Sequence, residues 1–337
     1  MDISLIIPVL NEQMSLPRLL ESIRQQALPP AEVIFVDAGS SDGTQSLIRN
    51  AAQADFRFRL LVEPGATPGR GRNVGIQAAS NPWIALTDAG MELDPHWLKD
   101  LAAGLAQKPS AAVIYGNFRP RTDSYFAECL ALAYVPPLHK VEGGQSRGPV
   151  IPSSLIKREA WAAAGGFPDL RAAEDRIFME RIAEIQIPTA SAPNALVTWD
   201  LPGSVGKVFS RFKTYSMHNV LAGRQRDWHT RIARMYLAAL ILGVGAAYVH
   251  IGFWLLLFLL GLARSAKGII KRRDEHSILW CLRPDRVIAV FALLLWIDLA
   301  TFTGWFIAVW RQLATHKVGK EVSMEGDSKV SGHAPDG

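Results

Sequence analysis

The chain has 337 residues, 36 lysines and arginines against 31 aspartates and glutamates, a net charge of +5 and 49 % hydrophobic residues. That length suggests about two structural units, and with this apolar content it excludes both a small disulfide-stapled scaffold and a disordered tail. The two cysteines, Cys129 and Cys281, are too far apart for a C-x-x-C site, and no secretory n-region and h-region precede Ile3, so a reducing, cytosol-facing setting is expected.

Taken in chain order, apolar runs at 3–8, 32–37, 58–63, 83–88 and 111–117 predict strands, several of them continuous enough for a sheet buried on both faces. Between them, Leu16, Leu19, Leu20 and Ile23 have helical spacing after a candidate cap at Ser15. Asp94 followed by Pro95 signals the start of a helix bearing Trp97 and Leu98. Strand and helix in alternation predict an α/β fold with a mostly parallel sheet.

In such sheets ligands bind outside the carboxyl ends of the strands, and three ends carry polar groups. The first run leads into Pro8, Asn11 and Glu12, the second ends at Asp37 within VDAGSSDGT, and the fourth ends at Asp88 within TDAGMELDPHW. Asp37 can accept a hydrogen bond from a base or ribose, whereas Asp42 is better read as a helix cap. Asp88 can hold a hard divalent cation bridging diphosphate oxygens, because magnesium needs only one or two protein carboxylates beside the phosphates. The stretch GATPGRGRNVGIQAA sets Arg70 and Arg72 at a helix start, where guanidinium forks and backbone amides favour phosphate. It lacks both a Walker G-K-[ST] and the G-x-G-x-x-G spacing. Further on, Glu174 and Asp175 open a helix with Ile177, Phe178 and Ile182 on its apolar side. Acids there favour the helix dipole in any protein, but a carboxylate held near a reacting carbon is also a general base. The turn Gly165-Gly166-Phe167-Pro168 supplies a bend that can bring it to the cleft.

The C-terminal part is different in kind. Residues 235–263 carry no formal charge and 287–310 carry only Asp298, both longer than the roughly 18 residues that mark membrane segments. Trp254, Trp280, Trp296, Trp305 and Trp310 lie at or near the ends of these segments, as interface aromatics do. Val205, Val208, Phe209 and Phe212, interleaved with Lys207, Arg211 and Lys213, form an amphipathic helix that either lies on lipid or closes the preceding domain. The stretch 264–286 holds seven lysines and arginines. Keeping it on the inner side, as the positive-inside tendency asks, favours a hairpin in 235–263 that breaks between Gly243 and Gly252. The organisation expected is a catalytic domain at 1–200, an amphipathic connector at 201–233, membrane helices at 234–311 with a basic loop at 264–286, and a disordered polar tail at 312–337.

The pieces SLIIPVLNE, VIFVDAGSSDGT, GRGRNVGI, TDAGMELDPHWL and GGFPDLRAAEDRIFMERI occur in that order over roughly residues 3–185. Together they resemble a family 2 glycosyltransferase with a GT-A fold, a Rossmann-like catalytic domain. The apolar segments are similar to those appended to bacterial members that make polysaccharides or glycolipids. The resemblance implies inverting transfer of a sugar from a nucleotide-diphosphate donor, expected to be a UDP-sugar, to a hydroxyl of a lipid-linked or glycan acceptor. The cytosol-facing setting and the apolar segments place that reaction at the cytoplasmic face of the inner membrane with membrane lipids as partners, and a net charge of +5 that includes the basic loop gives no case for nucleic acid. By the same resemblance Pro8, Glu12 and Asp37 border the nucleoside, Arg72 faces the diphosphate, Asp88 carries Mg2+ or Mn2+, and Asp175 of the Glu174-Asp175 pair is the general base, while Arg70 is a donor-binding candidate from its place at the helix start. Two features depart from the family pattern. The usual D-x-D reads Asp88-Ala89-Gly90, which removes one carboxylate, and the Q-x-x-R-W signature of processive synthases is absent. A catalytically silent donor-binding subunit and a nucleotidyltransferase are the alternatives.

Overall fold

The computed structural model describes residues 1–248, 250–274 and 276–330; the end of the expected polar tail, 331–337, lies outside the described residues. The elements run β1 (Ile3–Val9), α1 (Leu16–Arg24), β2 (Glu32–Asp37), α2 (Thr44–Ala54), β3 (Phe58–Val62), α3 (Pro68–Ala78), β4 (Trp83–Leu86), β5 (Met91–Leu93), α4 (Trp97–Gln107), β6 (Val113–Pro120) and α5 (Tyr125–Tyr134). They continue with β7 (His139–Val141), β8 (Gly144–Ser146), β9 (Ser154–Lys157), α6 (Arg158–Ala163), α7 (Glu174–Glu184), β10 (Thr189–Trp199), α8 (Val205–Leu221), α9 (Gln225–Tyr248), α10 (Gly252–Lys271), α11 (Ile278–Cys281) and α12 (Pro284–Val330). Two compact units emerge, one from Met1–Gly203 with Gly261–Leu293, the other from Ser204–Leu260 with the chain from Leu294 onward.

The first unit is built on an eight-stranded sheet of order β3-β2-β1-β4-β9-β6-β10-β5. β3, β2, β1 and β4 are parallel, as are β6 and β10, while β9 and β5 run against their neighbours. The sheet is therefore mostly parallel, as the continuous apolar runs predict. Both faces are covered. Leu5, Ile7, Val33 and Phe35 pack with Leu16 and Ile23 of α1, Ile48 of α2 and Trp97 of α4, and Ile6, Ile34 and Val36 pack with Ile76 of α3, Ala160 of α6 and Phe178 and Ile182 of α7. Period-two alternation along each strand feeds the two cores separately.

The first four strands lie where the apolar runs place them, and β6 starts two residues later than expected. The short strands β5, β7 and β8 carry no apolar run, and β9 shows only four residues. β10 is disguised by Pro193 and Asn194, which sit in a register shift between Ser191 and Leu196 against β6; proline in a strand is tolerated at such bulges. Asn117 closes the irregularity by donating to the Gln145 and Pro193 carbonyls at 2.9 and 3.2 Å. At α4 the Asp94 carboxylate accepts the His96 amide at 3.0 Å and the Asp94 carbonyl accepts the Trp97 amide at 2.9 Å, so Pro95 precedes the first helical residue instead of occupying it. Ser15 does flank α1, but its hydroxyl turns back to Glu12 and caps nothing.

In the second unit α8 packs along α12. Trp296 Nε1 donates to the Val205 carbonyl at 2.9 Å, its ring meets Phe209 at 5.1 Å, and Gly304 is pressed so closely on the Lys213 carbonyl that a Cβ there would overlap it. Val208 and Phe212 are buried within the protein. The uncharged stretch 235–263 is divided between α9 and α10 by a break at 250–251, inside the window from Gly243 to Gly252. Both helices recruit charged flanks, so His229–Tyr248 and Gly252–Lys271 each reach 20 residues, and Pro284–Ala314 adds a third apolar helix of 31. All three are long and apolar enough to cross a membrane. Residues 264–271, expected as part of a basic loop, complete α10, and α12 continues to Val330 through the first part of the expected tail.

Candidate active site

At the carboxyl end of β4 the chain turns at Asp88, and there the structure gathers residues far apart in sequence. Arg72, on the second turn of α3, is 2 % exposed. Its Nη2 donates to Asp88 Oδ1 at 2.8 Å, and its Nη1 donates to Glu174 Oε1 at 3.0 Å. The same Nη1 lies 3.0 Å from Asp175 Oδ1, an oxygen that is buried and accepts no hydrogen bond. One guanidinium thus faces three carboxylates drawn from two separate segments.

Glycines explain how α3 carries a charged side chain so deep. At Gly69 a Cβ would overlap the Pro168 carbonyl, and at Gly75 it would overlap Ile6. At Gly71 it would stand 3.2 Å from Pro8 Cβ. The helix therefore lies directly on β1 and on the 166–174 segment, a close approach that only residues without a side chain permit. Arg72 emerges between the two, its guanidinium 5.5 Å from the Phe167 ring.

Asn73, the next residue, holds the acid-bearing segment in place. Its Nδ2 donates to the Phe167 carbonyl at 2.7 Å, while its Oδ1 accepts the Phe167 amide at 2.9 Å and Trp161 Nε1 at 3.0 Å. Thr67 adds a 2.6 Å hydrogen bond to Asp169. Gly165 and Gly166 are left-handed, with φ of 72° and 69°, and so is Ala173 at 70°, a costly conformation for a residue with a side chain. The glycines of the expected turn are thus left-handed, and a further left-handed residue, Ala173, immediately precedes Glu174 and Asp175.

The electrostatics arise from this packing. Burial alone would disfavour charge on Arg72, yet Asp175, Asp88 and Glu174 together raise its pKa, so it stays a cation. Asp175 is pushed up to about 8. Burial is the largest cause; Arg72 opposes it, and the neighbouring Glu174 and Asp88 charges add to it. A carboxylate poised near neutrality with an unsatisfied oxygen can accept a proton from a substrate hydroxyl.

The other expected residues form a second group at the ends of β1 and β2. Asp37 is fully buried and accepts from the Gly39 amide at 2.9 Å, the Ser40 amide at 2.8 Å, Ser40 Oγ at 2.5 Å and Gln45 Nε2 at 2.8 Å. Its carboxylate shapes the adjoining loop. Glu12 is half-buried, and its amide donates to Thr44 Oγ1 at 2.8 Å. Asn11, with its left-handed backbone, and Gln13 exchange hydrogen bonds with Ser40, Ser41, Asp42 and Gly43. Asp42 accepts from both the Thr44 amide and hydroxyl, at 3.0 and 2.5 Å, but it stands one residue ahead of the cap position expected of it, which Gly43 occupies. Pro8 lies beneath Gly71, which links the two groups. Arg70 stands apart, exposed and paired with Glu63. Asn73 carries no signal in the sequence and Thr67 before Pro68 signals only a helix cap, although the run of glycines around Arg72 marks a helix lying close to something else.

The fit of a divalent cation can be judged from the donor set. Among the described residues no three histidine, cysteine or carboxylate side chains are arranged to hold a metal by themselves. Asp88 nevertheless fits the demand of a magnesium or manganese ion that arrives with a diphosphate. Its side chain is 35 % exposed and only one of its oxygens is used by Arg72. Even with Asp175 protonated, Asp88 and Glu174 outnumber the one guanidinium and leave surplus negative charge that would repel a bare diphosphate.

The mostly parallel sheet with acids at its strand carboxyl ends has the arrangement of a GT-A fold. Residues 4–152 match the family model of glycosyl transferase family 2. Glycosyltransferase AglE of Haloferax volcanii is 32 % identical over 100 residues, covering 29 % of this chain and 33 % of that protein. The GalNAc(5)-diNAcBac-PP-undecaprenol beta-1,3-glucosyltransferase of Campylobacter jejuni is 29 % identical over 119 residues, covering 34 % of this chain and 37 % of that one. The chain thus matches about a third of the length of these relatives. Among solved structures, the mannosyltransferase PcManGT of Pyrobaculum calidifontis, in complex with GDP-Man and Mn2+, shares the fold at a TM-score of 0.56 and 21 % identity, over 87 % of each chain.

Proposed function

We propose that the protein transfers a sugar from a nucleotide-diphosphate donor to a hydroxyl of a lipid-linked or glycan acceptor, with inversion at the anomeric carbon. The observation that carries this reading is the Arg72 cluster, which joins the metal-type aspartate at the end of β4 to the Glu174-Asp175 pair on α7. The acceptor oxygen attacks the anomeric carbon from the face opposite the nucleotide, the bond to the diphosphate oxygen breaks, and the acceptor proton passes to Asp175. Glu174 anchors Arg72 beside that base and keeps the guanidinium turned to the same cleft. Arg72 stabilises charge that develops on the departing diphosphate. Asp88 would hold a divalent cation, which when bound supplies Lewis-acid stabilisation of the same oxygens. The interlocked loops at 11–13 and 39–44, with Pro8, Glu12 and Asp37, border the nucleoside. Arg70 stands at the start of the same helix for the outer phosphate.

The three apolar helices support placement at a membrane, and the basic residues between 264 and 286 favour the cytoplasmic face of the inner membrane. A lipid-linked acceptor accords with that placement, and the Campylobacter jejuni relative is named for a PP-undecaprenol-linked substrate.

The test is nucleoside diphosphate release by the detergent-purified full chain across UDP-, GDP- and dTDP-sugars, with magnesium, manganese or EDTA and membrane lipid extract as acceptor source. Release from one donor that is lost in Asp175→Asn and Asp88→Ala supports the reading. Donor binding without turnover would make the chain a silent subunit. Pyrophosphate as product would make it a nucleotidyltransferase.

A further inference from the structure

The second unit contains a cavity of about 480 Å³ that the transfer chemistry does not use, lined by Gln225, Arg226, His229, Thr230, Arg234 and Trp305 among others. Its volume lies in the range of small-ligand sites. The floor is fixed by packing and hydrogen bonds. His229 is 3 % exposed and stacks on Trp305 with ring centroids 5.7 Å apart. Ser216 Oγ donates to the Thr301 carbonyl at 2.6 Å and is in 2.6 Å contact with His229 Nε2, while His229 Nδ1 faces the Gln225 carbonyl at 3.3 Å. Trp305 Nε1 points to Gln225 Oε1 at 3.4 Å.

Two of the lining residues are arginines, set in a wall that is otherwise mostly apolar. Arg226 and Arg234 have no ion-pair or hydrogen-bond partner among the described residues, whereas the arginines of the first unit that approach acids are paired, as at Arg72, Arg121 and Arg147. The two stand eight positions apart, about 12 Å along α9, at the end of the helix where its polar start gives way to the apolar span beginning at His229. Immediately beyond, Leu237, Leu240, Ile241 and Val244 are each more than half exposed. A mostly apolar recess that carries two arginines, next to a bare apolar helix face, matches a molecule with a phosphate at one end and hydrocarbon at the other. A free anion has no use for the second feature.

We propose that this cavity binds the phosphate of an anionic membrane lipid, with Arg226 and Arg234 pairing with the phosphate oxygens, Trp305 flanking the headgroup and the Leu237–Val244 face meeting the acyl chains. The inference rests on the reading of α9, α10 and α12 as membrane helices and is independent of the donor, the acceptor and the catalytic residues.

The experiment reconstitutes the full chain into phosphatidylcholine nanodiscs carrying a minority of phosphatidylglycerol and counts, by native mass spectrometry, the phosphatidylglycerol retained after mild delipidation. Compared are the wild type, Arg226→Gln/Arg234→Gln, the charge-keeping Arg226→Lys/Arg234→Lys, and Arg231→Gln, which alters an exposed arginine of the same helix outside the cavity. Retention is expected to fall about tenfold in the glutamine pair and to stay near wild type in the lysine pair and in Arg231→Gln. Excess inorganic phosphate should leave the lipid in place. Equal retention in the glutamine pair and the wild type would overturn the site. Displacement of the lipid by inorganic phosphate would make it a soluble-anion site and overturn the lipid assignment. Failure of the chain to enter the discs would overturn the membrane reading, and the proposal with it, without touching the glycosyltransferase assignment.

Discussion

The tripeptide Asp-Ala-Gly occurs at the ends of two strands, as Asp37-Ala38-Gly39 after β2 and Asp88-Ala89-Gly90 after β4, and these strands flank β1 on either side. The two aspartates have opposite fates. Asp37 is sealed and takes its four hydrogen bonds from residues no more than eight positions away. Asp88 is partly open, and its bond from protein comes from Arg72. The difference lies in the residues on the C-terminal side of each tripeptide. Ser40 and Gln45 supply local donors after the first, whereas Met91 enters β5 directly after the second and offers none. An acid saturated by its own loop builds architecture, while one left with spare capacity beside a shared cation can take a ligand.

The harshest way to break this comparison is to remove the shared cation. Arg72→Gln strips the counter-charge from Asp88, Glu174 and Asp175 together, and unpairing buried charge costs about 3–5 kcal/mol. A drop of that size in urea unfolding is expected, with transfer lost, and it should be deeper at high pH, where all three acids are ionised. Asp37→Asn should disturb only its loop, through donor KM and about 1–3 kcal/mol for the hydrogen bonds it can no longer accept. Equal effects from the two substitutions would erase the distinction.

Asp175→Asn comes next. Loss of a general base should lower kcat by roughly a thousandfold while donor binding, measured by calorimetry, is retained. The pH dependence sharpens the assignment. With Asp175 held up to about 8, kcat/KM should rise with pH through that value and level off above it, because only the ionised carboxylate accepts the proton. The stability effect has the opposite sign. Between the ordinary value of 3.8 and about 8 the folded chain holds a proton that the unfolded chain has released, so this group makes stability fall as pH rises across that window. An amide side chain does not titrate, so Asp175→Asn should be more stable than the wild type at pH 8 even though it is inactive. A variant that is both inactive and unstable there would return Asp175 to a structural role.

Asn73→Ala tests how the acids are delivered. It removes three hydrogen bonds to Phe167 and Trp161, about 1–3 kcal/mol after the stranded Phe167 amide is counted. The expected signature is a fall in kcat larger than any change in donor KM, because α7 loses its register while Asp88 keeps its own. A selective rise in donor KM would instead place Asn73 in the donor pocket.

Most of the sheet was legible because parallel strands covered on both faces are largely apolar, as β4 is throughout and β1 and β2 are apart from Ser4, Glu32 and Asp37. The strands that escaped are those whose sequence obeys another demand: β10 accommodates Pro193 in a bulge, and β5 spans three residues between a site turn and a helix. For the site, the residue types at each strand end were readable one by one, but their grouping was not. Arg72 reads as a phosphate ligand, and its contacts with Glu174 and Asp175, about a hundred positions later, depend on α3 lying flat on β1. Gly69, Gly71 and Gly75 record that closeness without naming the neighbour. Asn73 left no trace, since an asparagine inside a helix pattern is indistinguishable from a surface one. In the apolar region the uncharged stretch set the position of the break, while the helix lengths were set by charged flanks that hydropathy discounts.

The mildest test compares the two arginines of one helix turn. Arg70 and Arg72 are two positions apart and so point to different sides of α3. Arg72 is buried among acids, and Arg70 is exposed and paired with Glu63. An exposed pair is worth about 0–1 kcal/mol, so Arg70→Ala should leave the unfolding midpoint nearly unchanged and alter kcat little. Any contact of Arg70 with the outer phosphate would be made across solvent and screened by it, so donor KM should rise by less than about fivefold at physiological salt and more at low salt. A salt-sensitive rise in KM with kcat preserved identifies Arg70 as an attractor at the cleft mouth. A loss of kcat approaching that of Arg72→Gln would mean that α3 turns on donor binding and brings both arginines to the diphosphate.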